Sequence, residues 1–332
     1  MKTIQSITKR VVGFVLDILI AVQLSPKPGA MLIHKLFDHP ETITDLGTYN
    51  AAKEKVVVEL DVEYTSHYKE NTYDLYLPKA MENSVPVLFW VHGGGFVGGD
   101  KRDVRELATR LAADAHLAIV SINYELAPGS QYPSQLRQLD EVVQHIQQSC
   151  SSHPQIDMDR VFLGGDSAGA QIALQYANVQ TNNRYAQQMG FKPMISKEQL
   201  KGTLSYCGPV DLKQQINKPS NSRFMKFFVQ TVAWSLIGTK NWRDSQEIQE
   251  ASVASYVTPD FPPTYITDGN TFSFPEQGLS LAQKLETLQV PVKTLFYTNS
   301  DKQIVHEYQF DFSTTEAKES YDRTVKFIQA HQ

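Results

Sequence analysis

The segment Val161–Ala173, VFLGGDSAGAQIA, restricts the fold more than any other part of the chain. An apolar, β-prone run (Val161, Phe162, Leu163) leads into Gly165-Asp166-Ser167-Ala168-Gly169. Apolar and small residues then recur at helical spacing at Ala168, Ile172, Ala173 and Tyr176. A strand that turns at once into a helix around G-x-S-x-G forces its central serine into a strained conformation. Cβ atoms at Gly165 or Gly169 would collide across such a turn. The Ser167 hydroxyl is then expected above a sheet edge at a helix N-terminus, where free N–H groups and the helix dipole favour developing negative charge. The plainer reading is a glycine-rich turn with an ordinary serine, and the surrounding chain decides between the two.

That chain alternates strand and helix. Val56–Val58, Tyr73–Leu77, the solidly apolar Val85–Val91, Ala118–Ile122, the strand into Ser167, Leu204–Val210, Tyr265–Thr267 and Val292–Tyr297 read as strands. Helical patterns fall between them, at Arg105–Ala112, Gln135–Gln148 and Leu279–Leu288, and a terminal helix is expected at Tyr321–Ala330. This order predicts an α/β fold, a mostly parallel sheet flanked by helices, running over residues 51–332. Asp211–Ala251 breaks the alternation, and its helical Arg223–Ile237 carries Phe224, Phe227, Phe228, Trp234 and Leu236. It is expected to be a cap insertion covering the site.

Residues 1–50 are expected to form an N-terminal helical cap or lid segment. Lys2, Lys9 and Arg10 precede the apolar run Val11–Leu24, which resembles a signal peptide. Asp17 within the run and the Ser25-Pro26-Lys27-Pro28-Gly29 that follows count against that reading, and the run is short for a bilayer span. A second amphipathic piece is Ala30–Phe37, so the pair either packs over the site or lies on a membrane surface. Net charge is −5, which leaves no basic footprint for nucleic acid. Cys150 and Cys207 make neither a disulfide framework nor a metal-binding spacing and suit a reducing cytoplasm.

Three further features turn the serine segment into a candidate site. His92-Gly93-Gly94-Gly95-Phe96 directly follows the most apolar strand, and its glycines leave backbone N–H groups uncovered where an acyl-transfer oxyanion would need donors. A serine hydroxyl needs a base. Among nine histidines, His306 lies just after the last predicted strand, where the order Ser…acid…His places the base. The acid belongs in the loop after Tyr265–Thr267. Asp268 is nearest the strand end, with Glu276 and Asp301 as alternatives, although Asp268-Gly269 is also a turn dipeptide.

From about Asn71 onward the chain resembles the hormone-sensitive-lipase-like branch of the α/β-hydrolase esterases. The motifs that carry the resemblance are H-G-G-G-F at His92–Phe96, G-D-S-A-G at Gly165–Gly169 and Tyr124-Glu125-Leu126-Ala127-Pro128. The resemblance implies an eight-stranded, mostly parallel sheet with a helical cap, and Ser167 as nucleophile. It also implies oxyanion N–H groups at Gly94, Gly95 and Ala168, and His306 as base. The departures are Glu125 for the usual arginine, Gly129 for glutamate, Asn270-Thr271-Phe272-Ser273 for the acid-bearing Asp-Pro-Leu run, and His306-Glu307-Tyr308 for His-Gly-Phe. Asp268 as the third member is therefore a reading of this sequence and not a carry-over. The function expected is a serine carboxylesterase acting on short- to medium-chain esters, with no cofactor and no metal implied. The small-molecule partner is an ester. A homodimer and peripheral membrane contact through the N-terminal helix are further expectations. The alternatives are a non-catalytic small-ligand-binding protein on the same scaffold, motivated by the displaced acid, and a peptidase or other acyl hydrolase.

Overall fold

The structure, a computed structural model, describes residues 21–38, 42–149, 153–217 and 222–332. Eight strands form one sheet: β1 (Val56–Glu63), β2 (Thr72–Pro78), β3 (Val85–Val91), β4 (Ala118–Ile122), β5 (Ile156–Asp166), β6 (Leu200–Tyr206), β7 (Thr264–Asp268) and β8 (Val292–Phe296). Their spatial order is β1-β2-β4-β3-β5-β6-β7-β8. The β1–β2 and β2–β4 pairs are antiparallel and every other pair is parallel. The α/β prediction holds and every expected strand has a counterpart, but β5 starts earlier than expected, at Ile156, and the strand expected at Leu204–Val210 runs instead over Leu200–Tyr206.

The helices are α1 (Lys27–Phe37), α2 (Leu46–Lys53), α3 (Arg105–Ala115), α4 (Ser134–Gln148), α5 (Ala168–Thr181), α6 (Asn183–Met189), α7 (Leu212–Asn217), α8 (Arg223–Ile237), α9 (Gln246–Glu250), α10 (Pro275–Thr287) and α11 (Thr315–His331). β3 shows why its sequence lacks alternation, since all seven of its residues are buried. Val87, Phe89 and Val91 pack in the core shared with Leu139 and Val143 of α4 and Ile172 of α5. Leu88 and Trp90 face the opposite layer, with Leu107 and Leu111 of α3 and Phe327 of α11. Apolar side chains on both faces are what a central parallel strand requires.

The register sets the site. Val91 pairs with Gly165, Asp166 with Tyr206, Tyr206 with Thr267, and Thr267 with Leu295. The carboxyl ends of β3, β5, β6, β7 and β8 therefore share one edge, and their outgoing loops converge there.

Over that edge lies α8, capped by the Ser222 hydroxyl, which accepts from the Met225 N–H at 3.3 Å, and closed by Gly238 at φ 84°. Its bounds match the expected insertion helix. α1 packs against it so closely that a Cβ on Gly29 would meet the Thr231 side chain at 2.8 Å. The described residues from Thr44 to Asn50 behave differently. From Thr44 the chain is tied to the sheet body: the Thr44 N–H donates to Glu106 at 2.6 Å, and the Thr44 hydroxyl accepts from the Phe312 N–H at 2.8 Å. Ala52 of α2 is buried beside Val104 and Leu107. The run Val11–Leu24 lies mostly outside the described residues. Among the described residues no helix is long and apolar enough to cross a membrane.

Candidate active site

Ser167 sits between β5 and α5 with φ 49° and ψ −119°, a region an L-residue occupies only when its surroundings impose it. The imposing contacts are those anticipated from the sequence. A Cβ on Gly165 would strike the Gly169 backbone and lie 2.6 Å from the Val91 carbonyl oxygen, and one on Gly169 would run into the Val91 and His92 backbone. The close approach of β3 to the turn thus leaves glycine as the residue that fits at both places. The result is an Oγ held in the wall of a cavity. Ala168 opens α5, so its N–H is one that the helix cannot satisfy internally.

The loop after β3 is equally tight. Gly94 (φ 95°) and Gly95 (φ 59°) have left-handed backbones, and a Cβ on Gly94 would overlap the Gly98 backbone. The Tyr124 hydroxyl pins the loop, donating to the His92 and Gly93 carbonyls at 3.1 and 3.2 Å, while its ring stacks on His92 at 4.3 Å. Gly95, Ser167, Ala168 and His306 all line the same cavity. The Gly93 N–H is already committed, donating to Asp166 at 2.8 Å.

His306 brings Nε2 to 2.9 Å from Ser167 Oγ across 139 residues of sequence. Burial lowers its pKa, with Asp268 opposing, so the imidazole is neutral at neutral pH and able to take a proton. Asp268 is the last residue of β7 and 2% exposed. It does not touch the ring. Ser273 lies between them: its Oγ is 2.7 Å from His306 Nδ1, and its hydroxyl also bonds to Asp268 Oδ1. Asp268 Oδ2 accepts from the Phe274 N–H at 3.2 Å. Burial raises the Asp268 pKa, and the Ser273 hydrogen bond opposes the rise. Of the alternative acids, Glu276 and Asp301 are both exposed. Sequence reasoning passed over Ser273, although it falls within the altered run Asn270–Ser273.

It also passed over a pair of carboxyls. Asp166 accepts from Trp90 Nε1–H at 2.9 Å and from the Gly93 N–H, while Glu307 (φ 59°) reaches the same spot beneath Gly93. Glu307 Oε1 is 3.7 Å from His306 Nε2. Burial pushes both carboxyls up, Glu307 to about 7. The two N–H donors on Asp166 oppose the rise of its pKa without cancelling it. The signal was in the sequence, as an acidic residue where the family has glycine.

The cavity holds about 460 Å³, and its walls are almost wholly apolar, including Phe37 of α1, Phe228, Val232 and Leu236 of α8, Trp242, Ile248 and Phe274. Among the described residues one cluster, Cys207, Asp268 and His306, brings potential metal-ligand atoms within 4.8 Å of one another. Its members are otherwise engaged. Asp268 and His306 are bonded as above, and Cys207 Sγ accepts from the Glu307 N–H at 3.3 Å, with burial holding the thiol protonated.

A strained serine, a neutral histidine against its hydroxyl and a glycine loop thus meet at the carboxyl edge of a sheet with the α/β-hydrolase topology. The family described as alpha/beta hydrolase fold matches residues 88–308, and the chain belongs to it, in the hormone-sensitive-lipase-like branch that its motifs resemble. A protein of Acanthamoeba polyphaga mimivirus described as an alpha/beta hydrolase is 23% identical over 230 residues, covering 66% of this chain and 60% of that relative. The match thus spans less than two thirds of that relative's length. Among solved structures, esterase B from Lactobacillus rhamnosis superposes with a TM-score of 0.71 at 20% identity, covering 95% of both chains. A bacterial heroin esterase does so at 0.66 and 17% identity, over 92% of this chain and 97% of its own.

Proposed function

We propose that the protein is a serine carboxylesterase for short- to medium-chain esters. The observation that carries this reading is the 2.9 Å contact between His306 Nε2 and Ser167 Oγ in the wall of an apolar cavity. His306 takes the Ser167 proton as Oγ attacks the ester carbonyl. The N–H groups of Gly94, Gly95 and Ala168 receive the oxyanion, and His306 then passes the proton to the leaving alcohol. Water, activated by the same imidazole, hydrolyses the acyl-enzyme. The walls at Phe228, Val232, Leu236 and Trp242 would hold the acyl chain by burying its surface. Esterase B of Lactobacillus rhamnosis, with the same fold, has been crystallised inhibited by a tributyrin phosphonate, which accords with this substrate class. The test is Ser167→Ala with p-nitrophenyl butyrate. Turnover should fall by about 10⁴ or more, and a phosphonate should add to wild-type Ser167. Intact turnover in that variant refutes the reading.

A further inference from the structure

We infer that Ser273 is a positioning residue of this site, its hydroxyl carrying the hold of Asp268 to the imidazole of His306. The inference rests on the esterase reading and adds to it a residue that neither the motifs nor the family pattern assigns. In a direct arrangement the acid would bond to the histidine itself. Here the carboxylate sits on the last residue of β7 and not further along the loop, and no ion pair joins Asp268 to His306 among the described residues. Ser273 fills the gap, bonded to both.

The direction of the chain follows from its ends. Asp268 accepts from the Phe274 N–H and, as a carboxylate, accepts from the Ser273 hydroxyl too. The Ser273 proton is therefore spent on Asp268, and its oxygen offers a lone pair to Nδ1. That places the imidazole proton on Nδ1 and leaves Nε2 unprotonated toward Ser167, the tautomer a general base needs. When Nε2 gains the serine proton, the Nδ1–H···Oγ–H···carboxylate chain stabilises the imidazolium without moving a proton off Nδ1.

The loop that carries Ser273 is built around the same ring. The His306 N–H donates to the Thr271 carbonyl at 3.1 Å, and the Phe274 ring meets the imidazole edge-on at 5.5 Å. Asn270 Oδ1 accepts from the Ile304 N–H at 2.9 Å. The hydroxyl is thus held against Nδ1 from both sides of its own position and is not a loosely placed surface group.

The test follows phosphonate addition to Ser167 by mass spectrometry in the full-length wild type, Ser273→Ala and Ser273→Thr, with kcat and KM for p-nitrophenyl butyrate across pH. Ser273→Ala should slow adduct formation and kcat by about 10²-fold with KM nearly unchanged, as expected when a base is misplaced. The acid limb of its rate profile should move to lower pH, because the imidazolium loses an acceptor. Ser273→Thr, which keeps the hydroxyl, should recover to within roughly tenfold of wild type. The inference is overturned if Ser273→Ala labels at the wild-type rate with the same acid limb. It is equally overturned if a folded Ser273→Thr is as slow as Ser273→Ala. A wild-type protein that forms no Ser167 adduct refutes the esterase reading itself, and this inference with it.

Discussion

Replacing Glu307 by Gln should stabilise the protein above pH 7 and leave it nearly unchanged near pH 4.5. Glu307 is half-buried beside Asp166, and desolvation pushes its carboxyl from 4.5 up to about 7. The facing groups are Asp166, Asp103, His306, Tyr124 and the Cys207 thiol, so three of the five are neutral at pH 7 and the acidic ones repel a second charge. Below pH 4.5 the folded and unfolded chains both hold the Glu307 proton. Between pH 4.5 and 7 the unfolded chain loses it while the folded chain keeps it, so stability falls as pH rises and levels off above 7. At ~1.4 kcal/mol per pH unit, the displacement amounts to about 3 kcal/mol. Gln keeps an N–H donor for Asp166 and does not titrate. Unfolding entropy of about 2.1 cal/mol/K per residue makes 1 kcal/mol worth roughly 1.4 °C for a chain of this length, so the variant should melt about 4 °C above wild type at pH 8. Calorimetry of both proteins at pH 5, 6, 7 and 8 measures the gap. A gap that does not widen with pH would mean that Glu307 carries no displaced proton.

Three other outcomes follow from the same geometry. Asp268→Asn should lower kcat by about 10²–10⁴ with little change in KM, because the Ser273 hydroxyl loses its anionic acceptor; steady-state kinetics measures it, and near-wild-type kcat would remove Asp268 from the chain. Burial holds the His306 pKa below its ordinary 6.5, so kcat/KM should stay level down through pH 6.5 and fall at lower pH, read from a pH–rate profile. Val232→Trp narrows the cavity beside Gly95, where a Cβ would already lie 3.5 Å from the Val232 side chain. It should depress octanoate ester turnover by about tenfold relative to acetate, measured across a nitrophenyl ester series.

The elements legible in the sequence were those decided by local sterics and short-range patterning. Gly165 and Gly169 announce the serine turn because only neighbours within a few residues and one adjacent strand need to clash. Val85–Val91 reads as a central strand because both its faces are apolar. Arg223–Ile237 reads as a helix from its own pattern and stops at Gly238 because a left-handed residue ends it. Chain order alone singles out His306 among the histidines.

What the tertiary structure decided were contacts between loops far apart in the chain, where a displacement of a few ångströms changes the chemistry. Asp268 and His306 were both named, but only the placement of β7 against β8 shows that Ser273 stands between them. The Asp166–Glu307 pair joins the end of β5 to the turn after β8, and no pattern within either segment predicts that their carboxyls meet beneath Gly93. The cavity is assembled from α1, α8 and the loops at one sheet edge, and α1 and α2 part company although only eight residues separate them. Sequence patterning reports which residues are apolar, turn-forming or reactive. Which of them meet depends on sheet register and helix packing, properties of the whole chain and of no segment within it.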